Sequence, residues 1–291
     1  MRHDVTVPFA AAPALASLAA HAVPGVETVD RSAGTVRRLV DLGEGPVVVH
    51  VTLHDGLVSA TVDDEGAVHP TRAPAPRTAA LDALLRRWFG LDDDLGAVRS
   101  ALGGDALIGP LLSVRPDLRV LGHPDGFEAA VTTVLGQQVS LAAARTFGGR
   151  LAQAYGTPHA GSGLVTYPDA GTIARVDPVD LQAVLRVPHS RARTVHALAT
   201  ACSRGLALTP GSDHAEVRRQ LLALPGVGPW TVEYLAVRVL ADRDAWPSGD
   251  LVLRRALGGT DAAGTERAAE AWRPWRAHAA FHLWTATAYP A

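Results

Sequence analysis

The feature that most constrains this chain is a change of pattern partway along it. Up to about residue 62 short β-branched runs alternate with turn signals, and beyond residue 77 the pattern is helical almost to the end. Val47 to Leu53 (V-V-V-H-V-T-L) reads as a strand, Asp55-Gly56 as a hairpin turn and Leu57 to Val62 as the returning strand. Glu27 to Val40 supplies two more strands, and helical propensity rises over Ala10 to His21. Between the two regimes, Gly66 to Arg77 carries Pro70, Pro74 and Pro76 and reads as a linker. The predicted class is α+β, with a small mixed domain over 1–73 and an all-α region over 74–291. A chain of 291 residues has room for two or three cores, so the helical region can form two subdomains that flank a cleft.

The helical half is punctuated. Thr78 to Phe89 places Leu81, Leu84, Leu85 and Trp88 on one face. Phe127 to Leu135 and Ser140 to Tyr155 follow, the latter ended by Gly156 at the C′ position. Asp177-Pro178 opens another helix, with Pro in its first turn, and Ser190 to Arg204 and His214 to Leu222 come next. Breaks by Gly or Pro every dozen or so residues point to a compact helical domain and not a coiled coil.

Composition excludes several classes. Cys202 is the only cysteine, so there is no disulfide within the chain and no four-cysteine iron–sulfur or zinc site. A lone thiol fits a reducing cytoplasm, and the expected location is cytoplasmic and nucleoid-associated. The twelve histidines are scattered without metal-ligand spacing such as H-E-x-x-H. Phe9 to Ala22 is alanine-rich, but Asp4 precedes it and Pro8 and Pro13 interrupt, which favours a first strand and helix over a signal peptide. No stretch approaches the roughly 18 apolar residues of a membrane span. A net charge of -2 gives no uniformly basic surface, yet a local basic stripe with exposed amides can still bind phosphates.

Leu224 to Thr231 reads L-P-G-V-G-P-W-T, between one helix and another over Thr231 to Leu240. The paired glycines allow a tight turn and close backbone approach. Pro229 suits a first helical turn, and the free amides there can hold a phosphate. Alone, the motif says only helix, tight hairpin, helix. Asp250 follows Gly228 by 22 positions, inside W-P-S-G-D-L-V-L-R-R-A-L. Two compatible readings stand: an N-cap for Leu251 to Leu257, and a carboxylate held ionised beside a developing positive charge.

Together these residues resemble a known family. P-G-V-G-P-W-T followed by P-S-G-D-L is similar to the helix-hairpin-helix, Asp-ending signature of base-excision DNA glycosylases. Gly136 to Ala144 (G-Q-Q-V-S-L-A-A-A) and Trp272 to Trp284 (W-R-P-W-R-A-H-A-A-F-H-L-W) resemble hallmarks of one branch, the DNA-3-methyladenine glycosylase II type. The small mixed N-terminal domain resembles that branch too.

The resemblance implies a monofunctional glycosylase that hydrolyses the N-glycosidic bond of alkylated bases in double-stranded DNA during base excision repair, acting as a monomer and away from membranes. It makes Asp250 the catalytic carboxylate and Trp230, Tyr234 and Trp284 the base pocket. Leu224, Gly226, Val227, Gly228 and Thr231 would grip the DNA backbone, and Gln138 would fill the gap left by the flipped base. No cofactor is required. Carbonyls at Leu222, Leu224 and Val227 would face a structural Na+ or K+. Family members that also cleave the strand carry a lysine where this chain has Trp230, and no lysine lies between Leu224 and Asp250. Pro229 replaces a basic residue of some relatives. The cysteine-rich methyl-acceptor module that some carry in fusion is not expected here.

Blander readings stand beside these. Trp230 and Tyr234 are four apart, as core aromatics also are. Trp272 and Trp275 read as packing or surface residues. Arg186, Arg191 and Arg193 form a basic run whose default is a solvated face. Of Arg254 and Arg255, one is expected to pair with a carboxylate and the other to touch nucleic acid. Gln137 and Gln138 also suit helix caps. The alternatives in function are a glycosylase with lyase activity on oxidised bases, and a non-catalytic damage-binding protein built on the same hairpin.

Overall fold

The computed structural model describes residues 1–63 and 75–288. Most of the predicted linker lies outside the described residues, and residues 75–77 belong to the first turn of α2 (Ala75–Phe89), which starts three residues before the predicted Thr78.

Five strands, β1 (Arg2–Thr6), β2 (Glu27–Asp30), β3 (Thr35–Asp41), β4 (Pro46–His54) and β5 (Leu57–Val62), form one antiparallel sheet in the order β1-β5-β4-β3-β2. Asp55-Gly56 closes β4 onto β5 with His54 opposite Leu57, and Gly56 supplies the positive φ of 78° that such a turn requires. Alternation along β4 buries Val49, Val51 and Leu53. The helix α1 (Ala11–His21) follows β1, so Phe9 to Ala22 is indeed ordinary structure. Leu81, Leu84, Leu85 and Trp88 of α2 are all buried in the same core as the sheet valines and the helical region.

The helical region continues with α3 (Leu95–Leu102), α4 (Ile108–Val114), α5 (Gly126–Gly136), α6 (Leu141–Tyr155), α7 (Ala170–Ala174), α8 (Pro178–Leu185), α9 (His189–Ser203), α10 (His214–Leu222), α11 (Pro229–Arg238), α12 (Leu251–Ala256), α13 (Ala262–Ala269) and α14 (Arg276–Thr287). Aspartate is the habitual N-cap: Asp94, Asp125, Asp169, Asp177, Asp213, Asp250 and Asp261 each accept a first-turn amide, and Ser140 does the same for α6. Gly156 does end α6, but without the left-handed backbone of a C′ glycine, since its φ is -80°. Space is the reason for glycine there: a Cβ would lie 2.1 Å from the Thr166 carbonyl oxygen.

Candidate active site

A cap role does not distinguish Asp250 from its six counterparts. What else reaches it does. Its Oδ1 accepts the amides of Val252 and Leu253 at 2.9 and 3.1 Å, as any such cap would. The indole of Trp284, from α14, donates to the same oxygen at 3.1 Å, and the indole of Trp230, from α11, donates to Oδ2 at 3.1 Å. Two tryptophans from two helices thus hold one half-buried carboxylate at a helix N-terminus, where the dipole favours negative charge.

The same indoles open an aromatic wall. Trp230 stacks on Tyr234 with ring centres 5.5 Å apart and planes 28° off parallel, and Tyr234 meets Trp284 at 5.8 Å. Phe281, one turn before Trp284 on α14, packs edge-on against it at 5.4 Å. These residues line a cleft of about 980 Å³ whose lining also includes Phe9 and, from α1, Pro13, Ala14 and Leu18. Apolar Val139, Leu141 and Leu251 are exposed and line the same cleft.

The hairpin lies alongside. Gly226 has φ +77°, and a Cβ on it would sit 2.3 Å from Thr194 Oγ1 of α9, so both conformation and space exclude other residues. Among the described residues, the amides of Gly226, Gly228, Trp230 and Thr231 donate to no protein acceptor, as an anion-binding helix entry requires. The Leu224 and Val227 amides differ: they donate to the Leu221 and Leu224 carbonyls at 3.0 and 3.2 Å. Thr231 as a whole is buried, 2% exposed, and its hydroxyl accepts the Gln137 amide at 2.9 Å.

Gln138 is exposed at the turn between α5 and α6, in a left-handed conformation with φ 56°. Gln137 is the C-cap of α5 through its backbone N–H, which donates to the Val134 carbonyl, while its side chain reaches the hairpin; Ser140 caps α6. Arg191 donates to the Gln137 carbonyl at 2.6 Å, and Arg186 and Arg193 remain exposed. Among the described residues neither Arg254 nor Arg255 pairs with a carboxylate; Arg254 instead bonds a carbonyl. Its Nε donates to the Thr260 carbonyl at 2.8 Å, closing the turn after α12. Trp272 is buried, with its indole on Asp105, and Trp275 is half-buried against His278, which makes both packing residues. Phe281, Gln137 and Arg238 are site residues that sequence reasoning missed. Arg238 carried a signal, since it continues the Trp230, Tyr234 spacing by one more step of four.

Residues 1–125 match the family model of the AlkA N-terminal domain, and residues 131–276 match that of the HhH-GPD superfamily base excision DNA repair proteins. The chain belongs to the HhH-GPD superfamily. It is 39% identical over its whole length to a Mycobacterium tuberculosis protein named "Probable bifunctional transcriptional activator/DNA repair enzyme AlkA", of which it spans 57%. It is 33% identical to DNA-3-methyladenine glycosylase 2 of Escherichia coli over 93% of this chain and 91% of that one. In fold it is similar to the 3-methyladenine DNA-glycosylase of Archaeoglobus fulgidus, with a TM-score of 0.79 and 17% identity over 97% of this chain and 96% of that one. All 27 of its lysine-plus-arginine residues are arginines, so no side chain carries a primary amine. Among the described residues no helix is long and apolar enough to cross a membrane, and no cluster of His, Cys, Asp and Glu could hold a metal ion.

Proposed function

We propose that the protein is a monofunctional DNA glycosylase that releases alkylated bases from double-stranded DNA in base excision repair, acting as a monomer. The observation that carries this reading is the Asp250 carboxylate, held by Trp230 and Trp284 at the mouth of an aromatic cleft beside a hairpin with unused amides. The hairpin amides would seat a phosphate, and the flipped base would enter against Trp230, Tyr234 and Trp284. Gln138 would occupy the vacated stack.

The bond between the sugar C1′ and the base nitrogen breaks with its electron pair leaving on the base. Asp250 stabilises the cationic sugar through its charge. Both carboxylate oxygens are already engaged by donors, so the contribution assigned to Asp250 is electrostatic. Water adds its oxygen to C1′, and its proton passes to solvent or to the departing base.

The reaction as proposed calls on no cofactor. The carbonyls of Leu222 and Val227 accept no hydrogen bond from the described residues and would hold a monovalent cation beside the phosphate. The Leu224 carbonyl is already engaged by Val227, so a role for it would need that bond to yield.

Solved structures of similar fold include the 8-oxoguanine glycosylase/lyase of Clostridium acetobutylicum, with a TM-score of 0.69 and 14% identity over 90% of this chain and 87% of that one, which speaks to fold alone. Lyase chemistry by a lysine needs a side-chain amine that this chain lacks. The Cys202 thiol, pushed up to about 12 by burial, is no substitute. A pure damage binder would have no use for a carboxylate held as Asp250 is.

The test is incubation with an alkylated duplex, scored for free base and for strand breaks before and after alkali, with borohydride added during turnover. Free base with breaks only after alkali and no protein–DNA adduct is expected. A trapped adduct would overturn the monofunctional reading, and absence of any base release would overturn the enzymatic one.

A further inference from the structure

Trp230, Tyr234 and Arg238 follow one another at intervals of four along α11 and so share one face of it. The third member is an arginine, only 9% exposed, that lines the same cleft as Asp250. Its Nη1 donates to the Tyr234 hydroxyl at 3.3 Å and its Nη2 to the Gly122 carbonyl at 3.1 Å. Its guanidinium carbon lies 5.9 Å from the Tyr234 ring centre and 5.8 Å from that of Phe281, and its Nε has no partner among the described residues.

Arg238 has no ion pair among the described residues. Arg38 and Arg276 are buried to a similar degree, and each sits between two carboxylates: Glu27 and Glu128 for the first, Asp244 and Glu266 for the second. Arg119, 4% exposed in the same cleft, also has no ion pair among the described residues, but its Nε and Nη1 are taken up by the carbonyls of Pro8, Gly90 and Asp93, whereas the Arg238 Nε has no partner there. Burying an unpaired charge is costly, and where one persists beside a reaction centre its field is available to the chemistry. That field reaches the cleft: His21 and His123, which line it, are both held neutral, by burial first and with the Arg238 charge among the further causes.

We propose that Arg238 is a specificity-determining residue, whose unpaired charge behind the aromatic wall biases the pocket toward neutral modified bases and favours departure of the base with its electron pair. The inference rests on the function proposed above. When the glycosidic bond breaks, the base becomes one unit more negative whatever its starting state. A cationic base leaves neutral, and a neutral base leaves as an anion that takes a proton from water. A fixed positive charge assists both departures. It differs in the ground state, where it repels the cationic base and ignores the neutral one. For a neutral lesion the charge therefore raises kcat and kcat/KM together. For a cationic lesion it raises kcat but lowers kcat/KM, because some repulsion survives in the transition state. Half a unit of charge about 8 Å away, at an effective dielectric of about 20, changes a rate about five-fold.

The experiment compares Arg238→Met, which keeps bulk without charge, and Arg238→Lys, which keeps charge, on duplexes carrying hypoxanthine (neutral) or 7-methylguanine (cationic). The methionine variant should lose about five-fold in kcat/KM on hypoxanthine and gain about five-fold on 7-methylguanine while its kcat there falls. The lysine variant should move both back toward wild type. Equal slowing on both lesions, or no rescue by lysine, would mean that Arg238 only props Tyr234, and the proposal fails. A second measurement needs no variant: binding of wild type to uncleavable 2′-fluoro duplexes carrying 7-methylguanine or its neutral isostere, 7-methyl-7-deazaguanine. The neutral form should bind at least as tightly, and a ten-fold preference for the cation would overturn the proposal. Release of neither base by wild type is a separate outcome, which sinks the proposed function and this inference with it.

Discussion

Gln137 and Gly226 stand 89 positions apart in the chain, and the glutamine amide donates to the glycine carbonyl at 3.1 Å. The same amide bonds Thr231, and the Gln137 carbonyl is itself held by Arg191. The turn that presents Gln138 and the hairpin that presents free amides are therefore fastened together. Gln137→Ala removes the fastening and leaves both parts in place. It should raise KM for a lesion duplex about ten-fold, on the scale of one to two lost hydrogen bonds. Combined with Gln138→Ala, the effects should be less than additive, because a loosened turn no longer aims its side chain. Strict additivity would show that the two residues act independently.

Gln138 has a left-handed backbone, which favours glycine and carries strain for a side chain. Gln138→Gly should leave the melting midpoint nearly unchanged, as relief of that strain offsets glycine's larger freedom in the unfolded chain. Excision from a matched duplex should still slow by about 1–2 kcal/mol in activation free energy, and excision from a mismatched site by less, since unstacking there costs less. Equal slowing on both substrates would assign Gln138 to the pocket or the fold instead of the stack.

Asp250→Asn separates cap from charge. The new side chain can still accept the Val252 and Leu253 amides through its oxygen, but its NH₂ then faces the indole N–H of Trp230, a donor against a donor. Base release should fall about 100-fold or more, with a stability cost of about 1–3 kcal/mol from the unsatisfied pair. Single-turnover release and a urea melt measure the two effects separately. A release rate near that of wild type would leave Asp250 as a cap only.

Acid should destabilise the fold through His282. This residue of α14 is 1% exposed, and the Leu111 backbone is the one group that favours its charged form. Burial, then the His278 and Arg115 charges, push it down from 6.5 to about 3. The folded value lies below the unfolded one, so the unfolded chain takes up the proton first as pH falls. Stability is complete above 6.5 and drains away between 6.5 and about 3. His282→Phe removes this linkage and should flatten the fall in melting midpoint between pH 7 and 5, by up to about 1.4 kcal/mol per pH unit. An unchanged pH slope in the variant would exonerate His282.

Local features were legible in the sequence, and contacts between distant segments were not. Asp55-Gly56 and Asp177-Pro178 announce their turn and their helix start because the required backbone angles exclude most other residues. The strands β4 and β5 follow from alternation, and the positions of Trp230 and Tyr234 from helical spacing. The short helices α3, α4, α7 and α13 have five to eight residues each, too few to impose a period. The two indoles on Asp250 come from 20 and 34 positions away in opposite directions, and no spacing rule joins them. Arg238 was visible as the next step of the Trp230, Tyr234 stripe. That no carboxylate among the described residues pairs with it depends on every element packed around it, and only the assembled fold shows this.

The cleft that holds Asp250 is lined in part by Phe9 and by Pro13, Ala14 and Leu18 of α1, more than 230 positions away in the chain. None of these side chains can give or take a proton. The contour of the slot is thus encoded in one stretch of gene and the reactive groups in another. Over generations, substitutions in that first helix can widen or narrow the range of damage admitted while the bond-breaking apparatus is inherited intact. A laboratory selection for altered lesion range has its most forgiving target there.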